Sequence, residues 1–346
     1  MAMLMFIMST AAQELHTDSA PPASLSGPLA DHYVTLLEAE EATYREDYRK
    51  AESLFLIVKL ALPEHPAGAL LLAALIQTEM MDYENYDRAP EFEALLDTAE
   101  AHAGRWIKTH PDDGWGYCFL GHTYGYRAMW KARSGSWFSG MKLGLKAKGA
   151  YHDALRRDST CRDAYVGLGN YHYWKSARTE FINWTGLFVK DDKKKGEAEL
   201  ELAMAESHFA QAASAAALVW VYIDRRRFNE AENLARTWRA RYPEGKAFLW
   251  GQAQAEFSGG QDDSALAHFD SLKVRVAAQP QQSYFNYIEI DFHRAQLYLR
   301  RADTARACAV MDTLLAYPLD RDVKDRQKDR LKAAAKFQRK HCRNEE

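Results

Sequence analysis

A unit that recurs along the chain constrains the fold more than any other feature of this sequence. Its clearest copy, AALVWVYIDRRRFNEAENLARTWRARYPEG, places Tyr222, Ala231, Trp238 and Pro243 at intervals that suit two antiparallel helices. An aromatic side chain lies on the first helix, and a small residue opens the second where the two helices cross closely. A proline ends the unit because it cannot continue a helix. Thirty-four residues after Ala231, Ala265 begins the pattern again, which predicts a stack of helical hairpins.

Seven copies of the unit can be counted, each recognised by the small residue that opens its second helix. Chance matches to so degenerate a pattern are common singly, but seven in tandem are not. The predicted fold class is therefore all-α, a right-handed α-solenoid of about seven hairpins of the tetratricopeptide (TPR) type with a C-terminal capping helix. The seven marker positions are Ala51, Ala99, Ala150, Ala198, Ala231, Ala265 and Ala307.

The second, third and fourth copies are longer than thirty-four residues, and we predict that the extra length forms inserted segments between the two helices. The third copy contains SGSWFSGMKLGLKAKGAYHDAL, whose glycines are predicted to separate helix A from helix B, and the fourth contains ARTEFINWTGLFVKDDKKKGEAEL. An offset of 47 residues aligns Trp137 with Trp184. We predict that these inserts stack as the repeats stack, so that the two tryptophans contact each other or a partner.

The first of these inserts allows other interpretations. On a helix over 136–147, Trp137, Met141 and Leu145 share one face with lysines elsewhere, which is typical of a helix lying in a membrane interface. A phosphate loop is excluded, because Met141 stands where that loop requires lysine and neither Ser nor Thr follows. The membrane contact and the contact with a partner protein both remain alternatives to internal stacking.

The segments DAYVGLGNYHYWKSARTEFINWTGLF, KKGEAELELA and ALVWVYIDRRRFNEAENLARTWRARYP, in this order, resemble a group of bacterial TPR proteins over roughly residues 113–260. The resemblance implies an α-solenoid, often in exported proteins, and supplies no activity. It also implies that the A helices line a concave groove, where aromatic and amide side chains would suit an extended peptide. The groove positions that it nominates are Trp115, His122, Asn170, Tyr173, Trp220, Trp250, Gln254, Phe257, Phe292 and Gln296.

The ends of the chain carry their own predictions. An apolar run is followed by Thr10-Ala11-Ala12, which resembles a signal-peptidase site, so residues 1–12 are a candidate truncated signal peptide. Residues 13–30 are predicted to form a flexible linker, 31–320 the solenoid, and 321–346 the capping helix and tail. The predicted location is the bacterial periplasm or cell envelope, or the cytoplasm if the apolar run is not a signal.

The search for chemistry in the sequence favours a binding protein. No HExxH, GxSxG or clustered cysteine motif occurs, so we predict no catalytic residue, no metal and no cofactor. The net charge of −3 argues against nucleic acid as a partner. The predicted function is a non-catalytic scaffold for a protein or peptide. A glycan-binding helical protein of the outer-membrane nutrient-uptake type is the alternative, followed by an all-α glycosidase or lyase.

The acidic pairs and the cysteines are given structural roles. Asp112-Asp113, Asp191-Asp192 and Asp262-Asp263 lie at junctions between helices, where aspartate caps a helix N-terminus. The four scattered cysteines are predicted to be buried thiols rather than a disulfide framework. Whether any two of them pair is left open by the sequence.

Overall fold

All regular structure in the described residues is helical. The computed structural model describes residues 21, 25, 27–183, 191–281 and 283–342, and for 177–183 the course of the backbone alone. A short 3-10 helix, Gly27–His32, precedes sixteen α-helices, and no strand occurs in these ranges. The helices are α1 Tyr33–Tyr44, α2 Tyr48–Ala61, α3 Pro66–Tyr83, α4 Ala89–Thr109, α5 Gly114–Arg133, α6 Trp137–Arg157, α7 Ala164–Asn183, α8 Lys193–Glu206, α9 Gln211–Asp224, α10 Phe228–Arg241, α11 Ala247–Gly259, α12 Asp262–Ala277, α13 Tyr284–Arg300, α14 Thr304–Leu315, α15 Arg321–Arg326 and α16 Lys328–His341.

Consecutive helices pair into seven antiparallel hairpins, from α1–α2 to α13–α14. Within each hairpin we call the first helix A and the second helix B. The predicted right-handed α-solenoid of about seven hairpins with a C-terminal cap is confirmed. The cap consists of two helices rather than one, because the chain breaks between α15 and α16 at Gln327, whose buried amide donates to Glu289 at 2.9 Å.

A small residue stands at the same place in five of the B helices, the fourth residue of the helix. Its small side chain lets the two helix axes approach at their crossing. In α8 that residue is Gly196, and the prediction of Ala198 is wrong because Ala198 is exposed. A Cβ atom on Gly196 would lie 2.6 Å from the backbone nitrogen of Tyr173, so only glycine permits this approach of α7 and α8. The other four helices carry, fully buried, Ala51, Ala231, Ala265 and Ala307.

The predicted inserted segments of the second and third hairpins are wrong, because their extra length adds turns to the helices instead. α6 passes without a break through Ala150, and α4 likewise passes through Ala99. The turn between α5 and α6 is centred on Gly135, whose φ of +83° suits glycine. Gly140 lies buried inside α6, where a Cβ atom would lie 3.0 Å from the carbonyl oxygen of Ala128.

Two glycines on A helices form a slot for one large side chain. A Cβ atom on Gly121 of α5 would lie 2.6 Å from the ring of Tyr151, and one on Gly167 of α7 would lie 2.2 Å from it. The Tyr151 side chain of α6 therefore fills the space that these glycines leave between α5 and α7. A larger residue at Gly121 or at Gly167 would collide with the buried Tyr151 ring, so close packing around this ring holds the long hairpins together.

The solenoid closes on itself, because its first helices contact residues about 200 positions further along the chain. Tyr242 donates its hydroxyl to Glu41 at 2.7 Å. Lys246, in the α10–α11 loop, forms ion pairs with Glu46 and with Asp82, the latter at 3.1 Å. Lys246 is buried, so both carboxylates depend on it for their charge balance.

A second part of this contact lies at the α3–α4 turn. Glu84 forms ion pairs with Arg133 of α5, at 2.7 Å, and with Arg326 of α15. The same two guanidinium groups lie 5.0 and 4.9 Å from the ring centre of Tyr86. We call the residues that join the two ends the seam. They are Glu41, Glu46, Asp82, Glu84, Arg241, Tyr242, Lys246 and Arg326.

The cysteines divide into two kinds. Cys118 and Cys161 are buried free thiols, as the sequence predicts for all four. Cys308 and Cys342 instead form a disulfide with an S–S distance of 2.12 Å, which joins α14 to the end of α16. The prediction of thiols alone is therefore wrong for this pair, and the disulfide fixes the capping helix to the last hairpin.

Candidate binding groove

Two of the nominated groove residues lie in the core. Trp115 of α5 packs its ring 5.8 Å from that of Phe209 and 6.2 Å from that of His208, in the α8–α9 loop. The backbone of that loop is held in turn by the carboxylate of Asp163, which accepts from both residues at 2.8 and 2.9 Å. Tyr33 of α1 closes over the same loop, so Trp115 is covered.

Tyr173 of α7 is completely buried, and its hydroxyl donates to Asp224 at 2.6 Å. Burial and this carboxylate raise the pKa of the Tyr173 hydroxyl above its usual range. Neither Tyr173 nor Trp115 can contact a ligand in this structure, and we leave both out of the candidate surface.

His122 and Asn170 are half-buried and already hydrogen bonded within the protein. The Nδ1 atom of His122 lies 3.0 Å from the hydroxyl of Tyr151, and Asn170 donates its amide to the carbonyl of Val166 at 2.9 Å. The four nominated residues of the first four hairpins therefore serve the interior of the protein.

An acidic side chain shows how closely α1 packs against the fifth hairpin, α9–α10. Burial raises the pKa of Glu40, on α1, to about 8, and the negative charges of Asp163 and Glu41 add to the effect. Next to Glu40 a cavity of about 50 Å³ remains between α1 and α9–α10, with Tyr44 and Trp238 among its walls. A space of this size holds only one or two water molecules, so α1 leaves no room for a peptide at this place.

The remaining six nominated residues lie on the A helices of the last three hairpins, and they keep part of their surface exposed. Trp220 of α9 is 41% exposed and is the most accessible of them. The other five are half-buried, and the helices that carry them are α11 for Trp250, Gln254 and Phe257, and α13 for Phe292 and Gln296.

The structure brings the aromatic members of this set together through residues that the sequence did not nominate. Trp250 and Phe257 both place their ring edges against Phe269 of α12, with ring centres 6.3 Å apart in each pair. Phe257 also packs edge-on against His293 of α13 at 4.7 Å. The guanidinium of Arg300 lies 4.2 Å from the ring centre of Phe257.

Phe292 of α13 has a similar cationic neighbour. The Arg330 guanidinium of α16 lies 4.7 Å from its ring centre, and Glu289 holds that guanidinium by an ion pair at 2.5 Å. Cation–π contacts of this kind leave the outer edge of a ring available for contact. Arg300 and Arg330 could not be found from the sequence, because each comes from a different helix than the ring it covers.

Buried charges keep these helices in place. Asp291 of α13 is fully buried and accepts from Lys273 at 2.8 Å, from Arg294 at 2.7 Å and from the hydroxyl of Tyr317 at 2.5 Å. The three partners come from α12, α13 and the segment after α14. The network therefore joins the last two hairpins through α12, α13 and the segment after α14.

Two of the three acidic pairs cap a helix N-terminus, and the capping prediction is wrong for Asp262-Asp263 because the N-cap of α12 is Gln261. Asp113 accepts from the backbone nitrogen of Trp115 at 2.9 Å, and Asp191 accepts from that of Lys193 at 2.9 Å. Asp262, in the first turn of α12, is instead paired with Arg300 at 3.1 Å.

Over the part of the chain that the structure describes, no group of three or more His, Cys, Asp or Glu side chains could hold a metal ion. None of the described helices is long and apolar enough to cross a membrane.

The class of protein follows from the hairpins themselves, and the chain is a TPR-like α-solenoid. No family model and no curated protein matches its sequence. Solved structures that resemble it include a thermophilic TPR protein from Thermus thermophilus, 18% identical with a TM-score of 0.40, where the match covers 64% of this chain and 98% of that one. A TPR protein from Parabacteroides merdae is 15% identical with a TM-score of 0.41, covering 88% of this chain and 99% of that one.

Proposed function

We propose that this protein is a non-catalytic scaffold that binds an extended peptide or protein segment along α9, α11 and α13. The observation that carries the proposal is the contrast between the two sets of nominated residues. Trp115 and Tyr173, in the first four hairpins, are buried, whereas the last three hairpins carry the most accessible nominated residue, Trp220, and three further aromatic side chains that keep exposed surface. The proposed contact residues are Trp220, Trp250, Gln254, Phe257, Phe292 and Gln296.

The chemistry of these side chains suits a peptide. Aromatic rings offer large apolar area at a small cost in side-chain entropy, and they dominate the binding energy of many interfaces. Gln254 and Gln296 carry amides that can pair with the backbone of an extended segment. Gln254 donates to Ser258 at 3.0 Å on the same helix, a part-buried bond that a ligand backbone could replace.

We further propose that the protein works in the bacterial cell envelope. The support is the Cys308–Cys342 disulfide, since structural disulfides persist in oxidising compartments and are rare in the cytosol. Protease accessibility in intact cells and in spheroplasts of the host tests this. Protection in spheroplasts would contradict an envelope location.

Site-directed photo-crosslinking tests the binding surface. A photoreactive amino acid at position 220 should capture a partner in cells, and the same amino acid at Leu60, on α2, serves as the matched exposed control. Capture from position 220 should be reduced when Phe292→Ala is added, because that change removes another proposed contact residue without touching the crosslinker. Equal capture from both positions would refute the proposal.

The exposed tryptophan also keeps the glycan alternative testable. Intrinsic tryptophan fluorescence should stay constant across a panel of oligosaccharides if the surface binds peptides. A saturable change that disappears in Trp220→Phe would favour the glycan-binding function instead.

A further inference from the structure

The first half of α6 presents apolar side chains to solvent. Phe138 is 88% exposed, Met141 61% and Leu145 57%, and Trp137 beside them is about half exposed. Residues spaced by three or four positions share one side of a helix, so these four form one stripe. The opposite side of the helix is buried through Gly140, Ala147, Ala150 and Tyr151. We call the four exposed residues the α6 stripe.

The internal stacking predicted for this segment accounts for none of the three most exposed side chains. Trp184, the predicted partner of Trp137, lies outside the described residues, so that pairing stays a prediction. Phe138, Met141 and Leu145 lie on the side of α6 that faces away from α5, and this holds for any contact that Trp137 makes. Among large apolar side chains in the described residues, Phe138 has the highest exposed fraction.

Along the chain, the charged residues next to the α6 stripe are all basic. From 131 to 152 the chain contains five lysines and arginines and no aspartate or glutamate, although the whole protein has a net charge of −3. Lys131 and Arg133 are already paired with Glu93 and Glu84, at 3.0 and 2.7 Å. The positive charges available to an external partner are therefore those of the three lysines of α6.

Those three lysines keep their charge available. Lys142 is exposed next to Met141. Lys146 lies 5.0 Å from the ring centre of Tyr124, and Lys148 lies 5.6 Å from that of Tyr171. A ring holds the ammonium group in place without neutralising it. The stripe thus combines apolar side chains with fixed positive charge.

The size of the stripe distinguishes between kinds of partner. A stable protein–protein interface uses about 20–30 residues on each side, and four side chains on half of one helix fall well short of that. A membrane interface requires less, because a few inserted apolar side chains together with basic residues give reversible binding to anionic lipid. We propose that the α6 stripe inserts into the headgroup region of an anionic phospholipid membrane, with Lys142, Lys146 and Lys148 contacting lipid phosphates.

This proposal is independent of the peptide groove, since α6 belongs to the third hairpin and the groove to the last three. Binding by four side chains and three charges should be reversible and sensitive to salt. The protein would then carry its ligand surface to a membrane without being anchored there permanently.

Vesicle flotation of the full chain tests the proposal. The protein should float with vesicles of equimolar phosphatidylcholine and phosphatidylglycerol, and not with phosphatidylcholine alone, and raised salt should release it. Phe138→Ser with Met141→Ser should weaken binding by at least about tenfold. Lys142→Glu with Lys146→Glu should weaken it further, by at least about 25-fold, since each lysine charge lost costs about fivefold.

The matched control is Leu60→Ser with Val274→Ser, which removes two similarly exposed apolar side chains from α2 and α12. This control should bind vesicles as the wild type does, and circular dichroism should show that all variants are folded. Binding to neutral vesicles equal to that seen with anionic ones would overturn the proposal, as would unchanged binding by the Phe138 and Met141 variant. A dimer in sedimentation velocity that only this variant abolishes would assign the stripe to a second copy of the chain and also overturn it.

Discussion

The first four hairpins and the last three are built from the same repeat but use its inner side differently. In α4, α5 and α6 the helices have 20 or 21 residues, whereas α9 and α10 have 14 each. Among the long helices, the Tyr151 side chain fills a slot between two glycines. Trp115 is covered by the α8–α9 loop, over which α1 closes. The regular hairpins leave Trp220 and its neighbours partly exposed. The cover that α1 and the α8–α9 loop provide thus converts a candidate binding face at Trp115 into core.

The free energies of unfolding of two tryptophan variants test this difference most directly. Trp115→Ala should cost about 4 kcal/mol of the free energy of unfolding, because it removes a buried ring and leaves a cavity. Trp220→Ala should cost less, about 1.5 kcal/mol, because 41% of the residue surface is already exposed. Urea denaturation followed by circular dichroism measures both. Similar losses in the two variants would show that the halves do not differ as described.

The next largest loss of stability is expected from a substitution in the seam that joins the two ends of the solenoid. Lys246→Met should cost about 3 kcal/mol, since it leaves Glu46 and Asp82 buried without a cation. Burial, with the charge of Asp82 added, already raises the pKa of Glu46 to about 7 despite the lysine.

Adding Glu46→Gln and Asp82→Asn to Lys246→Met should recover much of the loss, because no unpaired charge then remains. Lys142→Met, at an exposed lysine, is the control and should leave the unfolding midpoint in place. A Lys246→Met protein as stable as the wild type would mean that closure contributes nothing to the fold.

Within the long hairpins, Gly196→Ala should cost about 2 kcal/mol, because the new methyl group would lie 2.6 Å from the backbone of α7. Gly149→Ala, in α6, has no atom within 4 Å of the new Cβ position and should gain about 0.5 kcal/mol. Thermal unfolding distinguishes the two. A loss in both variants would point to a cost of alanine itself rather than to close packing.

The last prediction concerns the pH dependence of stability and Glu40, whose pKa burial raises to about 8 in the folded protein. Because this pKa lies above the ordinary value of 4.5, the folded state holds the proton more tightly than the unfolded state. Stability from this group is full at low pH and is lost as the pH rises through about 8. Glu40→Gln cannot ionise, so its advantage over the wild type should grow between pH 5 and pH 8 and level off above that pH.

The control for that prediction is Glu38→Gln, at an exposed position of the same helix. Its difference from the wild type should not change with pH. Melting temperatures at several pH values provide the readout for both variants. A Glu40→Gln advantage that is constant from pH 5 to pH 9 would show that α1 does not bury a carboxyl group.

The sequence by itself determined the repeat. Ala51, Ala231, Ala265 and Ala307 predict the B helices correctly, because helix periodicity and a small residue at a crossing are properties of neighbouring residues. The sequence pattern misassigns α6. Glycine usually weakens or ends a helix, so the pattern predicts a break at Gly140. Only packing against Ala128 and Ala132 shows that Gly140 is where α5 and α6 approach.

The tertiary structure decided which side chains of the repeat remain available. Trp115 and Trp220 fit the same groove prediction, yet one is covered by α1 and the α8–α9 loop and the other is not. The seam pairs Glu41 with Tyr242 and Glu46 with Lys246 across about 200 residues. No local pattern encodes such pairs, because they arise only when small rotations between successive hairpins add up to bring the two ends together.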